Sequence, residues 1–147
     1  MKILEAQNAI LTNYEVYSHL TEQRERYAQN KHRGPPNLET VVREILQYFH
    51  TPPGPLSHGT ITYTPECIAE LIERLRPYDL TKAEVVMLFN HRPQTVATLN
   101  TIIEDLEDRV SPEDQEVLIQ IIIDVLGRPP PAQEQGADDT PMENGGS

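Results

Sequence analysis

The segment Ser111-Pro112-Glu113-Asp114 followed by Gln115 to Leu126 most constrains what this chain can fold into. From Val117 to Leu126 only Gln120 and Asp124 are polar, and with Glu116 they form one stripe at intervals of four residues. A helix apolar on nearly every other side must be surrounded by other elements. Ile119, Ile121, Ile122, Ile123 and Val125 are β-branched, so a strand is the rival reading. The capped start, with serine before a first-turn proline and two acids, and a length of ~16 residues favour the helix. The rest of the sequence must therefore supply partners for a central helix.

Helix start signals recur upstream. Thr12-Asn13-Tyr14-Glu15 and Thr81-Lys82-Ala83-Glu84 both have capping-box form, in which the hydroxyl accepts the third amide and the glutamate reaches back. The first helix runs to about residue 28 with a thin apolar set of Tyr14, Val16, Tyr17 and Leu20. A second opens near Asn37 and aligns Leu38, Val41, Val42, Ile45, Leu46 and Phe49. Thr64-Pro65-Glu66 opens a third, with Cys67, Ile68, Leu71, Ile72 and Leu75 on its apolar stripe. The helix from Thr81 ends before Pro93, because proline disfavours a helical residue ahead of it. Beyond it, Val96, Leu99, Ile102, Ile103, Leu106 and Val110 repeat at near-helical spacing with acids opposite. The stretch Ile3 to Leu11 is short and ambiguous between strand and loop.

Glycine and proline set the boundaries: absent from residues 1–33, they cluster at 34–36, 52–59 and 127–147. The expected organisation is an N-terminal arm and helix at 1–29, a linker at 30–36, a helical domain at 37–126 and a disordered acidic tail at 127–147. The tail holds four prolines, four glycines and four acids against Arg128, too little apolar surface to offset the entropy of ordering. Residues 1–126 retain −8 of the net charge of −11, so the folded part is itself acidic. That opposes binding of duplex nucleic acid by charge alone. Arg24, Arg26, Lys31, His32 and Arg33 form a modest basic stretch, read most simply as a solvated helix end and linker.

Chemistry is scarce. The histidines at 19, 32, 50, 58 and 91 show no pair at i, i+4 around a glutamate, the arrangement of a helical zinc hydrolase site. The lone Cys67 excludes an internal disulfide and reads as a core thiol. No Gly-rich phosphate loop, G-x-S-x-G or calcium loop is present. Neither catalysis nor a cofactor nor a metal is expected. The charged N-terminus does not read as a signal peptide, and no apolar run reaches the roughly 18–20 residues of a membrane span, so a soluble intracellular protein is expected. Asn90-His91-Arg92-Pro93 places three polar side chains where a helix must stop, either as caps or as a contact point.

Leu80-Thr81-Lys82-Ala83-Glu84, Asn90-His91-Arg92-Pro93, Glu107-Asp108-Arg109 and Ser111-Pro112-Glu113-Asp114-Gln115 together resemble the helical domain of the RNA polymerase stalk family. Asn8-Ala9-Ile10-Leu11-Thr12-Asn13-Tyr14-Glu15-Val16 resembles one branch, the small stalk subunit of RNA polymerase III, also named the calcitonin gene-related peptide receptor component protein family. The resemblance implies an all-α, HRDC-like helical bundle with an N-terminal partner-binding arm. It implies a nuclear, non-catalytic subunit paired with a larger OB-fold stalk subunit on the polymerase III core, near emerging RNA and supporting recruitment of the initiation factor TFIIIB. Ile10, Leu11, Asn13, Tyr14, Val16 and Tyr17 are the partner-binding residues it implies, and Asn90, His91 and Arg92 a candidate contact corner. The alternatives are the equivalent subunit of polymerase II and a free-standing HRDC-like nucleic-acid module, which the net charge opposes. A membrane-associated receptor accessory protein is a third, for which no lipidation motif speaks.

Overall fold

A computed structural model describes residues 4–6, 8–30, 34–52, 54–57 and 62–127. The tail from Arg128, much of the linker, and part of the Thr51–Tyr63 spacer lie outside the described residues. Among the described residues seven α-helices follow in order: α1 Asn13–Gln29, α2 Pro36–Phe49, α3 Pro65–Leu75, α4 Lys82–His91, α5 Val96–Asn100, α6 Leu106–Arg109 and α7 Pro112–Leu126. A single 3-10 turn, Pro55–Ser57, lies between α2 and α3. No strand occurs among the described residues, and the architecture is all-α.

Three of the expected helix starts form as their side chains dictate, whereas Thr64 stands at the start of α3 without a side-chain cap bond. Thr12 Oγ1 accepts the Glu15 amide at 3.2 Å while Glu15 Oε2 accepts the Thr12 amide at 2.7 Å. Thr81 and Glu84 repeat both bonds at the same distances. Ser111 Oγ accepts the Asp114 amide at 3.2 Å. Each bond satisfies a backbone donor that the first helical turn leaves without an internal partner.

The core gathers around α7, which packs against α3 and α5. Leu118, Ile122 and Leu126 of α7 are fully enclosed with Leu71, Leu88, Leu99, Ile103 and Leu106. Glu116, Gln120 and Asp124 are exposed, as the four-residue spacing requires. Gln115 is also buried, with its Nε2 donating to the Val110 carbonyl at 2.9 Å. Cys67 is half-buried, and its thiol lies 3.5 Å from the Val125 carbonyl.

Two features differ from the sequence reading. The near-helical repeat from Val96 to Val110 is not one helix: α5 and α6 are separated by turns at residues 101–105. Thr98 Oγ1 and Thr101 Oγ1 donate to the carbonyls of Thr95 and Thr98, competing with the backbone ladder. Asp105 takes a left-handed φ of 52°, which aspartate tolerates better than most residues. Leu99, Ile103, Leu106 and Val110 are nonetheless all buried, so the apolar spacing was satisfied by a different backbone path.

The second difference concerns residues 1–29, expected to stand apart as an arm. Instead α1 lies on α2 and α4. The Tyr14 ring meets Tyr63 edge-on at 5.9 Å, and Tyr17 meets Phe49 at 6.4 Å and His50 at 5.6 Å. Val16 and Leu20 add to the same contact with the core. The partners come from distant segments, so the short apolar set of α1 gave no sign of them. Tyr63, at the end of the spacer, is buried and donates its hydroxyl to the Phe89 carbonyl at 3.0 Å.

Candidate partner-binding surface

Ahead of α1 the described residues 4–6 and 8–12 have no helix or strand and expose large apolar side chains. Leu4 is 87% exposed, Ile10 39% and Leu11 55%. Thr12, the cap of α1, is buried immediately after them. The base of this segment is fixed from outside its own helix, because the Asn13 amide donates to Asn90 Oδ1 at 2.8 Å. Thr12, Asn13 and Asn90 thus hold the start of α1 from both sides. An apolar segment ending in such an anchor keeps its direction, which lowers the ordering cost of binding.

The six residues expected to bind a partner therefore divide. Ile10 and Leu11 face solvent and are free for a second chain. Asn13, Tyr14, Val16 and Tyr17 are half-buried and committed in part to this chain's own fold. Burial raises the Tyr14 phenol above its ordinary range, with the carboxylates of Glu66 and Glu22 adding to the effect. Burial likewise holds the Tyr63 phenol high, opposed by the nearby Arg92 charge.

The Asn90–Pro93 corner divides in the same way. His91 is exposed, whereas Asn90 is half-buried on α1. Arg92 is only 6% exposed and points inward, in keeping with the capping alternative at this corner. It caps α4 in the left-handed conformation at φ 45°. That backbone turns its side chain beneath the helix, where Nη1 donates to the Leu126 carbonyl at 3.3 Å. The guanidinium carbon sits 6.0 Å from the centre of the Tyr63 ring. A cation at the C-terminal end of α7 satisfies a carbonyl with no partner in its own helix and opposes the negative end of the helix dipole. Between the starts of α1 and the ends of α2 and α4 lies a cavity of about 360 Å³, lined by Asn13, Tyr48, Pro52, Pro55 and His91 among others.

Sequence reasoning missed the pairing of Glu84 with Arg109, because the capping box already accounted for the glutamate. Arg109 Nη1 donates to Glu84 Oε1 at 2.6 Å, and Nη2 to the Asp79 carbonyl at 2.6 Å. Nη1 also reaches the Glu104 carbonyl at 3.0 Å, in the interruption between α5 and α6. The guanidinium bonds hold the Glu84 carboxyl far below the ordinary range, at about 2, against the opposing effect of burial. One arginine thus fastens the start of α4 to α6. The signal available in the sequence was Arg109 itself, alone among seven nearby acids.

Among the described residues no group of three or more His, Cys, Asp or Glu side chains is placed to hold a metal ion. No helix there is long and apolar enough to cross a membrane.

The profile of the family described as RNA polymerase Rpb4 matches residues 10–126, which spans α1 to α7 and, ahead of α1, the exposed Ile10 and Leu11. The DNA-directed RNA polymerase III subunit rpc9 of Schizosaccharomyces pombe is 36% identical over 130 residues, covering 83% of this chain and 96% of its own length. The DNA-directed RNA polymerase III subunit RPC9 of Saccharomyces cerevisiae is 24% identical over 157 residues, with 83% and 98% covered. The chain belongs to the RNA polymerase Rpb4 family.

Proposed function

We propose that this chain is the Rpb4-type stalk subunit of RNA polymerase III, a nuclear and non-catalytic component of the transcribing complex. The observation that carries this reading is the 36% identity to a relative named as a polymerase III subunit, extending over 96% of that relative. Likeness over the whole length, rather than in one shared motif, favours the same place in the same assembly. The larger OB-fold stalk subunit is its direct partner, and the heterodimer attaches to the polymerase core. Exposed Ile10 and Leu11 insert into that partner, with the Thr12–Asn13–Asn90 bonds fixing the direction of approach. Nucleotide addition belongs to the large subunits. The contribution here is to hold the stalk where it supports TFIIIB at initiation and lies near emerging RNA.

Co-expression with the OB-fold stalk subunit of polymerase III tests the pairing. A 1:1 complex stable through size-exclusion chromatography is expected, and exchange of Ile10 and Leu11 for serine should lower its affinity by about tenfold or more. Two chains that elute separately would overturn the pairing.

A further inference from the structure

The groove between α1 and α3 combines apolar side chains with the carboxylates of Glu15 and Glu22 and the imidazole of His19. It encloses about 520 Å³, with Tyr14, Ile68, Ala69 and Ile72 on its floor and Glu15 and Glu22 along its edge. Ile72 is 48% exposed although it stands on the apolar stripe of α3, so that stripe is wider than the core it covers. No lysine or arginine lines the groove. Glu22 has Arg26 as its cationic neighbour at 3.8 Å, with both side chains more than 60% exposed, a pairing that water screens almost completely. Glu15 is held in place by the Thr12 cap, its Oε2 accepting from the Thr12 amide and hydroxyl. Glu66, in the first turn of α3, adds a third carboxylate whose field reaches the Tyr14 phenol. Two other grooves carry mixed charge, Arg24, Glu39 and Arg43 between α1 and α2 and Arg76 with Asp79 beyond α3, and the cavity beside Asn13 and Tyr48 has no acidic lining.

Such a surface repels phosphate and anionic lipid, and its apolar floor gives a wholly polar cation little to hold. What matches it is a segment with apolar side chains on one face and basic ones beside them. An amphipathic helix supplies both at three- and four-residue spacing. We propose that the α1–α3 groove docks a cationic amphipathic helix of another chain, with its apolar face on Ile68, Ala69 and Ile72 and its lysines or arginines toward Glu15, Glu22 and Glu66. Tyr14, which lines the groove, follows the exposed Ile10 and Leu11 by a few residues, so a partner gripping that segment as proposed above has a second foothold close by.

The test uses the full chain and a synthetic helical peptide with leucines on one face and lysines beside them, titrated by calorimetry at near-physiological salt, where screening acts beyond about 8 Å. Saturable binding is expected for this peptide and not for its counterpart with glutamates replacing lysines. Ile72→Arg and Glu22→Lys should each weaken binding by about tenfold, both being exposed positions that leave the circular dichroism melt unchanged. Glu107→Lys, the same charge change on α6, should alter it by less than about twofold. Equal losses from Glu107→Lys and Glu22→Lys would mean attraction by net charge alone and overturn the assignment, as would equal binding of the glutamate peptide or no saturable binding. Self-association of the chain that Ile72→Arg abolishes would give the groove to a second copy and also overturn it.

Discussion

Tyr17→Ala and Leu11→Ser separate the packing of α1 on the core from the partner binding proposed for the residues ahead of it. The ring is half-buried and makes edge contacts with Phe49 at 6.4 Å and His50 at 5.6 Å. Truncating a fully buried aromatic costs about 3–5 kcal/mol, so a half-buried ring should cost ~2 kcal/mol. That includes ~1 kcal/mol for the lost ring pairs. A domain of this size shifts its melting temperature by roughly 4 °C per kcal/mol, giving a fall of about 8 °C. Leu11→Ser, only a few residues earlier, removes a side chain already 55% exposed and should move the melt by less than about 2 °C. Its effect should fall instead on affinity for the OB-fold partner, by about tenfold. Thermal circular dichroism of the isolated chain and a calorimetric titration of the partner give both quantities for each variant. An unchanged melt for Tyr17→Ala would refute the docking of α1 on the core. A large fall for Leu11→Ser would show that the segment before α1 belongs to the core and is not free for a partner.

Three further outcomes follow from the core and the part-buried Glu84–Arg109 ion pair. Glu84 lies at about 2 in the folded chain, below its ordinary 4.5, so its contribution is complete above the unfolded value and is lost as pH falls toward the folded one. Glu84→Gln should therefore destabilise by ~1–2 kcal/mol at pH about 6, allowing for partial exposure of Arg109. Urea titrations should show that gap shrinking by more than half by pH about 3, whereas a pH-independent gap would assign the effect to packing alone. Ile122→Asp should abolish cooperative unfolding, since an unpaired charge in that enclosed position costs several kcal/mol out of a total of about 5–15. Gln120→Asp, on the exposed stripe beside Asp124, should cost no more than about 0.5 kcal/mol, and equal melts for these two variants would mean α7 is turned the other way.

What could be read from the sequence was what neighbouring residues decide. Thr12 with Glu15, Thr81 with Glu84 and Ser111 with Asp114 fix helix starts by bonds spanning three residues, and all three form. The exposed stripe of Glu116, Gln120 and Asp124 fixed how α7 is turned, and so which residues line the core. Hidden from such reading were contacts between distant segments. Tyr17 finds Phe49, Tyr14 finds Tyr63 and Glu84 finds Arg109, none of them within reach of a local pattern. The apolar spacing from Val96 to Val110 also misled, because a burial pattern does not record the threonine bonds and left-handed Asp105 that break the helix. Of the candidate site, Ile10 and Leu11 emerged exposed, while Arg92 turned inward through a backbone conformation that its sequence neighbours do not announce.

Purification of the tagged chain from its native cells, with mass spectrometry of what accompanies it, tests the central claim most directly. The account predicts the large subunits of RNA polymerase III, with the OB-fold stalk subunit in equal amount and retained through a salt wash. Recovery of the large subunits of polymerase II instead, or of neither enzyme, would contradict it.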